Sequence, residues 1–69
     1  MKKEITKKFH VEVTYNDSSE FSFEVELTGT ESVILSEIRM ITRGTLMATT
    51  AITAIAYNDE GFDVCSYIQ

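Results

Sequence analysis

Two stretches of alternating residues, 5–15 and 20–28, constrain the fold of this chain most. Almost every second side chain in them is apolar, which is the period of a half-buried β-strand. The polar residues 16–19 between them are typical of a turn, because their short side chains hydrogen-bond to nearby backbone. The sequence therefore predicts an antiparallel hairpin with one apolar face. That face is expected to comprise Ile5, Phe9, Val11, Val13, Tyr15, Phe21, Phe23, Val25 and Leu27.

Charge favours one register of this hairpin. A three-residue loop, 16–18, sets His10 opposite Glu24, whereas a five-residue loop sets Glu12 opposite Glu24. Like charges that face each other directly destabilise a strand pair by about 0.2–1 kcal/mol. The sequence thus predicts the shorter loop.

Beyond the hairpin the apolar spacing changes to i, i+4, i+7, the stripe of an amphipathic helix. Thr30 is a suitable N-cap, and Gly44 is the expected C-cap. The pattern predicts a helix over 31–43. Its buried stripe is expected to contain Ile34, Ile38 and Ile41, with Leu35 beside them.

Two further strands are predicted at 49–57 and 62–69, joined by a turn at 58–61. Asn at the first turn position and Gly at the fourth are typical of a type I turn with a glycine bulge. This turn sets Ala56 opposite Val64. The face expected to pack on the helix then contains Ile52, Ala54, Ala56, Phe62, Val64 and Ile68, and the outer face contains Thr53, Ile55, Tyr57, Asp63, Cys65 and Tyr67.

The order strand-strand-helix-strand-strand predicts one small domain, 1–69, of the α+β class. We expect a two-layer ββαββ fold, in which one helix covers one face of a four-stranded sheet. If the helix leads to the far hairpin, the first and last strands meet in parallel at the centre. The resulting order 2-1-4-3, which we favour, resembles a β-grasp roll; a fully antiparallel order is the alternative.

The charges are unevenly distributed along the chain, which carries a net charge of -5. Four of its six basic residues are Lys2, Lys3, Lys7 and Lys8. Ten acidic residues and two arginines follow, which leaves about -8 over residues 9–69. Proteins that bind nucleic acid usually present a basic face, so we expect no direct binding of nucleic acid.

The longest aliphatic runs have three residues, far fewer than the roughly 20 that a membrane-spanning helix needs. The single cysteine, Cys65, cannot form an internal disulfide, which fits a reducing compartment. We therefore expect a cytoplasmic protein without a membrane segment.

No pattern in the chain indicates catalysis or cofactor binding. His10 and Cys65 are the only histidine and cysteine, too few for a structural zinc site. Flat strands spread carboxylates apart, whereas calcium and magnesium need convergent oxygen ligands. We therefore expect no catalytic residue, no cofactor and no metal.

The outer face of the second hairpin is apolar and aromatic, although an open sheet face is normally polar. Tyrosine is enriched in binding patches, so we interpret this face as a partner-binding surface. A register slip of one residue would instead turn these side chains towards the core. The predicted partner-binding residues are Ile55, Tyr57, Cys65 and Tyr67, rimmed by Glu12, Glu24 and Glu26.

A second apolar feature lies off the main stripe of the helix. Val33 and Met40 are one heptad apart, and Leu46 and Met47 follow them. Such residues either pack under loops or form an interface.

These patterns predict a small, acidic, non-enzymatic module that binds another protein. Inhibitors or decoys of the kind that phages and mobile elements encode suit its size and charge. The alternative is a structural homo-oligomer, a dimer that buries the apolar sheet face between two copies. A small-ligand-binding domain or an enzyme ranks third.

Overall fold

Two antiparallel hairpins joined by a helix make up the computed structural model, which describes residues 3–69. Their four strands form one sheet, and the helix packs across one of its faces. The predicted α+β fold, with two layers in ββαββ order, is confirmed. The elements are β1 (Ile5–Thr14), β2 (Glu20–Gly29), α1 (Glu31–Ala48), β3 (Thr53–Asn58) and β4 (Asp63–Ile68).

The strand order is β2-β1-β3-β4, with every neighbouring pair antiparallel. The favoured order 2-1-4-3 is therefore wrong, and the fully antiparallel alternative is confirmed. Helix α1 is about 27 Å long at 1.5 Å per residue. This length carries the chain across the sheet to the C-terminal end of β1. There the N–H of Ile52 donates to the carbonyl oxygen of Thr14 over 2.9 Å, and β3 runs back along β1.

Small residues explain why β3, and not β4, occupies the centre of the sheet. Ala54 and Ala56 are fully buried, and their short side chains let α1 approach the sheet closely. The core side chains of β4, Cys65 and Tyr67, are larger and only partly buried. An edge position accommodates them because one side of an edge strand is open to solvent.

The first hairpin has the predicted register. His10 lies opposite Glu24, as the charges favour. The N–H of Tyr15 donates to the carbonyl oxygen of Ser19 over 2.8 Å, which closes the three-residue loop 16–18.

Helix α1 begins as predicted but ends later. Thr30 is the N-cap, and its Oγ1 accepts a hydrogen bond from the N–H of Val33 over 3.4 Å. Gly44, the predicted C-cap, lies inside the helix. The helix continues to Ala48 because the buried Leu46 extends the apolar stripe by another turn.

The core lies between α1 and the central strands. The buried helix positions are spaced by four residues, so that Thr42 takes the place expected for Ile41. The Thr42 hydroxyl donates to the carbonyl oxygen of Ile38 over 2.7 Å, which satisfies it without a partner on the sheet. The buried apolar residues are Phe9, Val11, Val13, Ile34, Ile38, Leu46, Ala51, Ala54 and Ala56.

The turn between β3 and β4 has the predicted hydrogen bonds. The N–H of Gly61 donates to the carbonyl oxygen of Asn58 over 3.0 Å, and the Asn58 side chain accepts from the N–H groups of Glu60 and Phe62. Gly61 has a φ of 87°, a left-handed conformation that glycine adopts without a steric penalty.

A β-bulge shifts the register beyond this turn. The predicted pairing of Ala56 with Val64 is wrong, because Ala56 pairs with Cys65 and the irregularity lies between Ala56 and Tyr57. Val64 is thus the extra residue on β4. A one-residue shift moves the side chains that follow to the other face of a sheet. Cys65 and Tyr67 consequently pack against the core.

Three residues that were expected in the core are exposed, and of these only Ile68 follows the bulge and is turned outwards by it. Phe62 and Ile68 were predicted to close its two ends, and both are largely exposed. Ile52, the residue before β3, is exposed as well.

The stability of the fold is expected to depend strongly on Ile38, a residue of α1 whose side chain is fully buried. We expect Ile38→Ala to lower the free energy of unfolding by about 2–5 kcal/mol, because it leaves a cavity. The control is Ile68→Ala, the same truncation at an exposed position, which should change it by no more than about 0.5 kcal/mol. Urea denaturation measures both, and equal effects would contradict the core described above.

The bulge predicts the reactivity of the Cys65 thiol. Because Cys65 packs against the core, we expect a thiol reagent to label it several times more slowly than an exposed cysteine. The matched control is Ser66→Cys combined with Cys65→Ser, which moves the thiol to the neighbouring exposed position. Faster labelling of Cys65 than of the relocated thiol would show that β4 has the regular register, which turns position 65 outwards and position 66 inwards.

Asp17 is predicted to titrate at a lowered pH. The hydroxyl and the backbone N–H of Ser19 donate to its Oδ1, and these bonds, the hydroxyl most of all, hold the pKa of Asp17 below its ordinary 3.8. Its contribution to stability is present above the unfolded pKa and is lost as the pH falls through the folded pKa. An NMR titration should show this lowered pKa, and Ser19→Ala should raise it towards 3.8. An unchanged pKa in the variant would refute the role of the hydroxyl.

Candidate functional site

The sheet face turned away from α1, called the open face below, carries five of the seven predicted partner-binding residues. Glu12, Glu24 and Glu26 alternate with the core residues of β1 and β2, so they lie on the open face. Ile55 and Tyr57 lie there too, since they alternate with the buried alanines of β3.

The other two predicted residues, Cys65 and Tyr67, lie on the face that packs under α1. Their assignment to the outer face is wrong, because the bulge at Val64 inverts the alternation of β4. Both side chains are partly buried against the core. The apolar part of the open face is therefore smaller than the sequence predicts.

The strand register brings the acidic and apolar residues side by side. Glu12 lies directly opposite Ile55, and His10 lies directly opposite Tyr57. On its other side His10 faces Glu24 of β2. Directly opposed side chains have Cβ atoms about 4.5–5.5 Å apart. Glu24, His10 and Tyr57 thus form one row across three strands, with Glu12 and Ile55 in the next row.

His10 lies between two carboxylates. Its Nε2 is 3.3 Å from Oε2 of Glu12, and its Nδ1 is 3.6 Å from Oε2 of Glu24. All three side chains are partly exposed, so each ion pair contributes at most about 1 kcal/mol when the ring is protonated. Both ring nitrogens of His10 face a carboxylate in this arrangement.

A depression of about 490 Å³ surrounds this row. A volume of this size accommodates a long side chain or a small ligand. The depression opens to solvent between the two hairpins, and three carboxylates line it against one lysine. The charged and aromatic side chains on its wall are Lys8, His10, Glu12, Glu24, Tyr57 and Asp59.

Asp59 and Asn58 belong to this depression although sequence analysis did not assign them to the site. They reach it because the turn after β3 lies beside Phe9 of β1. No local pattern encodes the pairing of β1 with β3, so only the strand order reveals this neighbourhood. His10 also lines the depression, although the predicted partner-binding residues do not include it.

Lysine near the N-terminus partly balances the negative charge of the open-face glutamates. Lys8 lies opposite Glu26 on the open face. Lys2, another member of the predicted basic cluster, lies outside the described residues.

Residues 3–69 contain neither a metal-binding cluster nor a membrane-spanning helix. In that part of the chain, no group of three or more His, Cys, Asp or Glu side chains could hold a metal ion. No helix there is long and apolar enough to cross a membrane.

Neither a protein-family model, nor a curated protein, nor a solved structure matches this chain. The proposed function therefore rests on the geometry and the charge of the open face.

Proposed function

We propose that this chain is a small non-enzymatic module that binds a basic surface of a larger protein through its open face. The observation that supports this most is the position of Ile55 and Tyr57 directly beside Glu12 and His10. An apolar and aromatic centre with a charged rim is the usual anatomy of a protein interface. Tyrosine is also one of the residues that most often dominate binding energy.

The rim selects for a basic partner. Glu12, Glu24 and Glu26 border the apolar centre on the side of β1 and β2, and residues 9–69 carry a charge of about -8. An arginine or lysine of the partner that enters the depression meets the carboxylates of Glu12, Glu24 and Asp59 and the ring of Tyr57. Arginine pairs well with carboxylates and is also attracted to aromatic faces.

Self-association through the open face is the weaker alternative. A two-fold interface brings the same patch together twice, so the three glutamates of one copy would approach those of the other. Juxtaposed like charges cost several kcal/mol at an interface. Cys65 and Tyr67, which would have enlarged the apolar area, lie on the other face. These arguments favour a different, basic protein as the partner.

An acidic surface of this kind competes with nucleic acid for a basic cleft. An inhibitor or decoy of the phage or mobile-element type acts in this way, and we assign this chain to that class. We place its action in the cytoplasm, because its one cysteine, Cys65, is a free thiol.

The apolar centre is tested by capturing a partner from an extract of the native host on the immobilised chain, then purifying it and measuring its affinity. We expect Ile55→Ala combined with Tyr57→Ala to weaken binding by about thirtyfold or more, the effect of losing an interface hot spot. Met47→Ala, an exposed truncation on α1, should leave the affinity unchanged. Circular dichroism verifies that the variants fold. Unchanged binding by the folded double variant would disprove the proposed surface.

The acidic rim is tested by association rates at several salt concentrations. We expect Glu12→Gln combined with Glu24→Gln to slow association and to reduce its salt dependence, because charges at an interface steer the encounter. The matched control, Asp17→Asn combined with Glu31→Gln, removes the same charge from the first loop and the start of α1, outside the strands of the open face. If both pairs slow association equally, the net charge matters and the open face does not.

A further inference from the structure

The side of α1 opposite its buried stripe is apolar. At 3.6 residues per turn Met40 points directly away from the core, and Val33 and Met47, seven residues before and after it, lie almost in line. Their exposed fractions are 45% for Val33, 70% for Met40 and 68% for Met47. A helix face that meets only solvent is normally polar, so these three residues call for a partner.

Small residues flank Met40 on the same side of the helix. Ser36 precedes it by four residues, and Gly44 follows it by four. Glycine is one of the least favourable residues inside a helix. The helical Gly44 has no positive φ, and a Cβ built on it would meet nothing within 4 Å. Neither the backbone nor the packing of the chain itself requires glycine here, whereas a second helix at close approach does.

Charges of opposite sign border this side of the helix. Glu37 precedes Met40 by three residues, and Arg43 follows it by three. Within residues 3–69 the ion pairs involve only His10 with Glu12 and Glu24, so Glu37 and Arg43 form none there. The outer face of α1, defined as Val33, Ser36, Glu37, Met40, Arg43, Gly44 and Met47, is thus symmetrical in sequence about Met40.

We propose that two copies of this chain associate through the outer face of α1 as an antiparallel helix pair with its two-fold axis at Met40. Such an axis places residues at equal distances before and after Met40 level with each other. Glu37 then lies level with the partner's Arg43, and Ser36 lies level with the partner's Gly44. In the same way Val33 lies level with the partner's Met47.

The charge pattern favours a second copy of this chain, in antiparallel orientation, as the partner of the outer face of α1. A parallel pair would set each Glu37 beside the partner's Glu37 and each Arg43 beside the partner's Arg43, which repels. The two-fold antiparallel pair instead gives two attractive pairings from a single sequence. Helix axes pack about 8–10 Å apart, and small residues at the contact favour the lower value. At that separation glutamate and arginine side chains can meet across the paired Met40 residues.

This dimer is independent of the proposed function, because α1 covers the sheet face opposite to the open face. Both open faces stay exposed when the helices pair. A 69-residue chain also gains from association, since a domain of this size buries only about 60% of its unfolded surface on folding.

The axis is tested by sedimentation equilibrium of the full chain up to about 1 mM, a range that covers dimers of millimolar affinity. We expect the unmodified chain to dimerise, and Met40→Glu to weaken dimerisation more than about tenfold, because two carboxylates then meet on the axis. Phe62→Glu, which adds the same charge at a similarly exposed position away from α1, should dimerise normally. A monomer throughout this range, or a folded Met40→Glu variant that dimerises normally, would overturn the proposal.

The orientation is tested by exchanging the charges. Glu37→Arg alone and Arg43→Glu alone should each weaken dimerisation, and the two together should restore it, because the exchanged charges attract again. A folded double variant that stays as weak as the single ones would refute the antiparallel pairing. If Ile55→Ala combined with Tyr57→Ala abolishes the dimer, the two copies associate through the open face, and the proposal is overturned. The partner-binding measurement is separate, so either proposal can fail alone.

Discussion

The packing of α1 on β1 and β3 is the contact on which the remainder of this structure depends. Ile34 and Ile38 of the helix rest on a sheet surface whose middle is made of Ala54 and Ala56, so the two layers approach closely. The chain is too short for a second core. The same contact holds β3 beside β1 and therefore decides which residues become neighbours on the open face.

A domain of two layers has two outer surfaces, and here they differ in chemistry. The open face carries glutamates beside Ile55 and Tyr57, a pattern that we propose suits a basic partner of another kind. The outer face of α1 pairs apolar, small and charged residues symmetrically about Met40, so it suits a copy of itself. Because the core separates the two surfaces, a substitution on one leaves the other intact.

Local chemistry made the first hairpin predictable, whereas long-range packing decided much of the second. The facing of His10 and Glu24 follows from alternation, turn residues and charge, all within one short segment. The pairing of Ala56 with Cys65 depends on a bulge that no residue pattern announces. The strand order likewise depends on where α1 delivers the chain. For the candidate site, the sequence therefore located Tyr57 correctly on the open face but misplaced Tyr67.

The bulge at Val64 also bears on how the sheet avoids aggregation. An exposed edge strand offers a row of unpaired N–H and C=O groups to which further strands can add. β2 presents a long edge but carries Glu20, Glu24 and Glu26 along it. β4 has one charged residue, Asp63, and would be the weaker edge if it were regular. Its bulge breaks the even spacing of the backbone groups, so the residue that inverts the two faces also makes β4 a poor template for fibril growth.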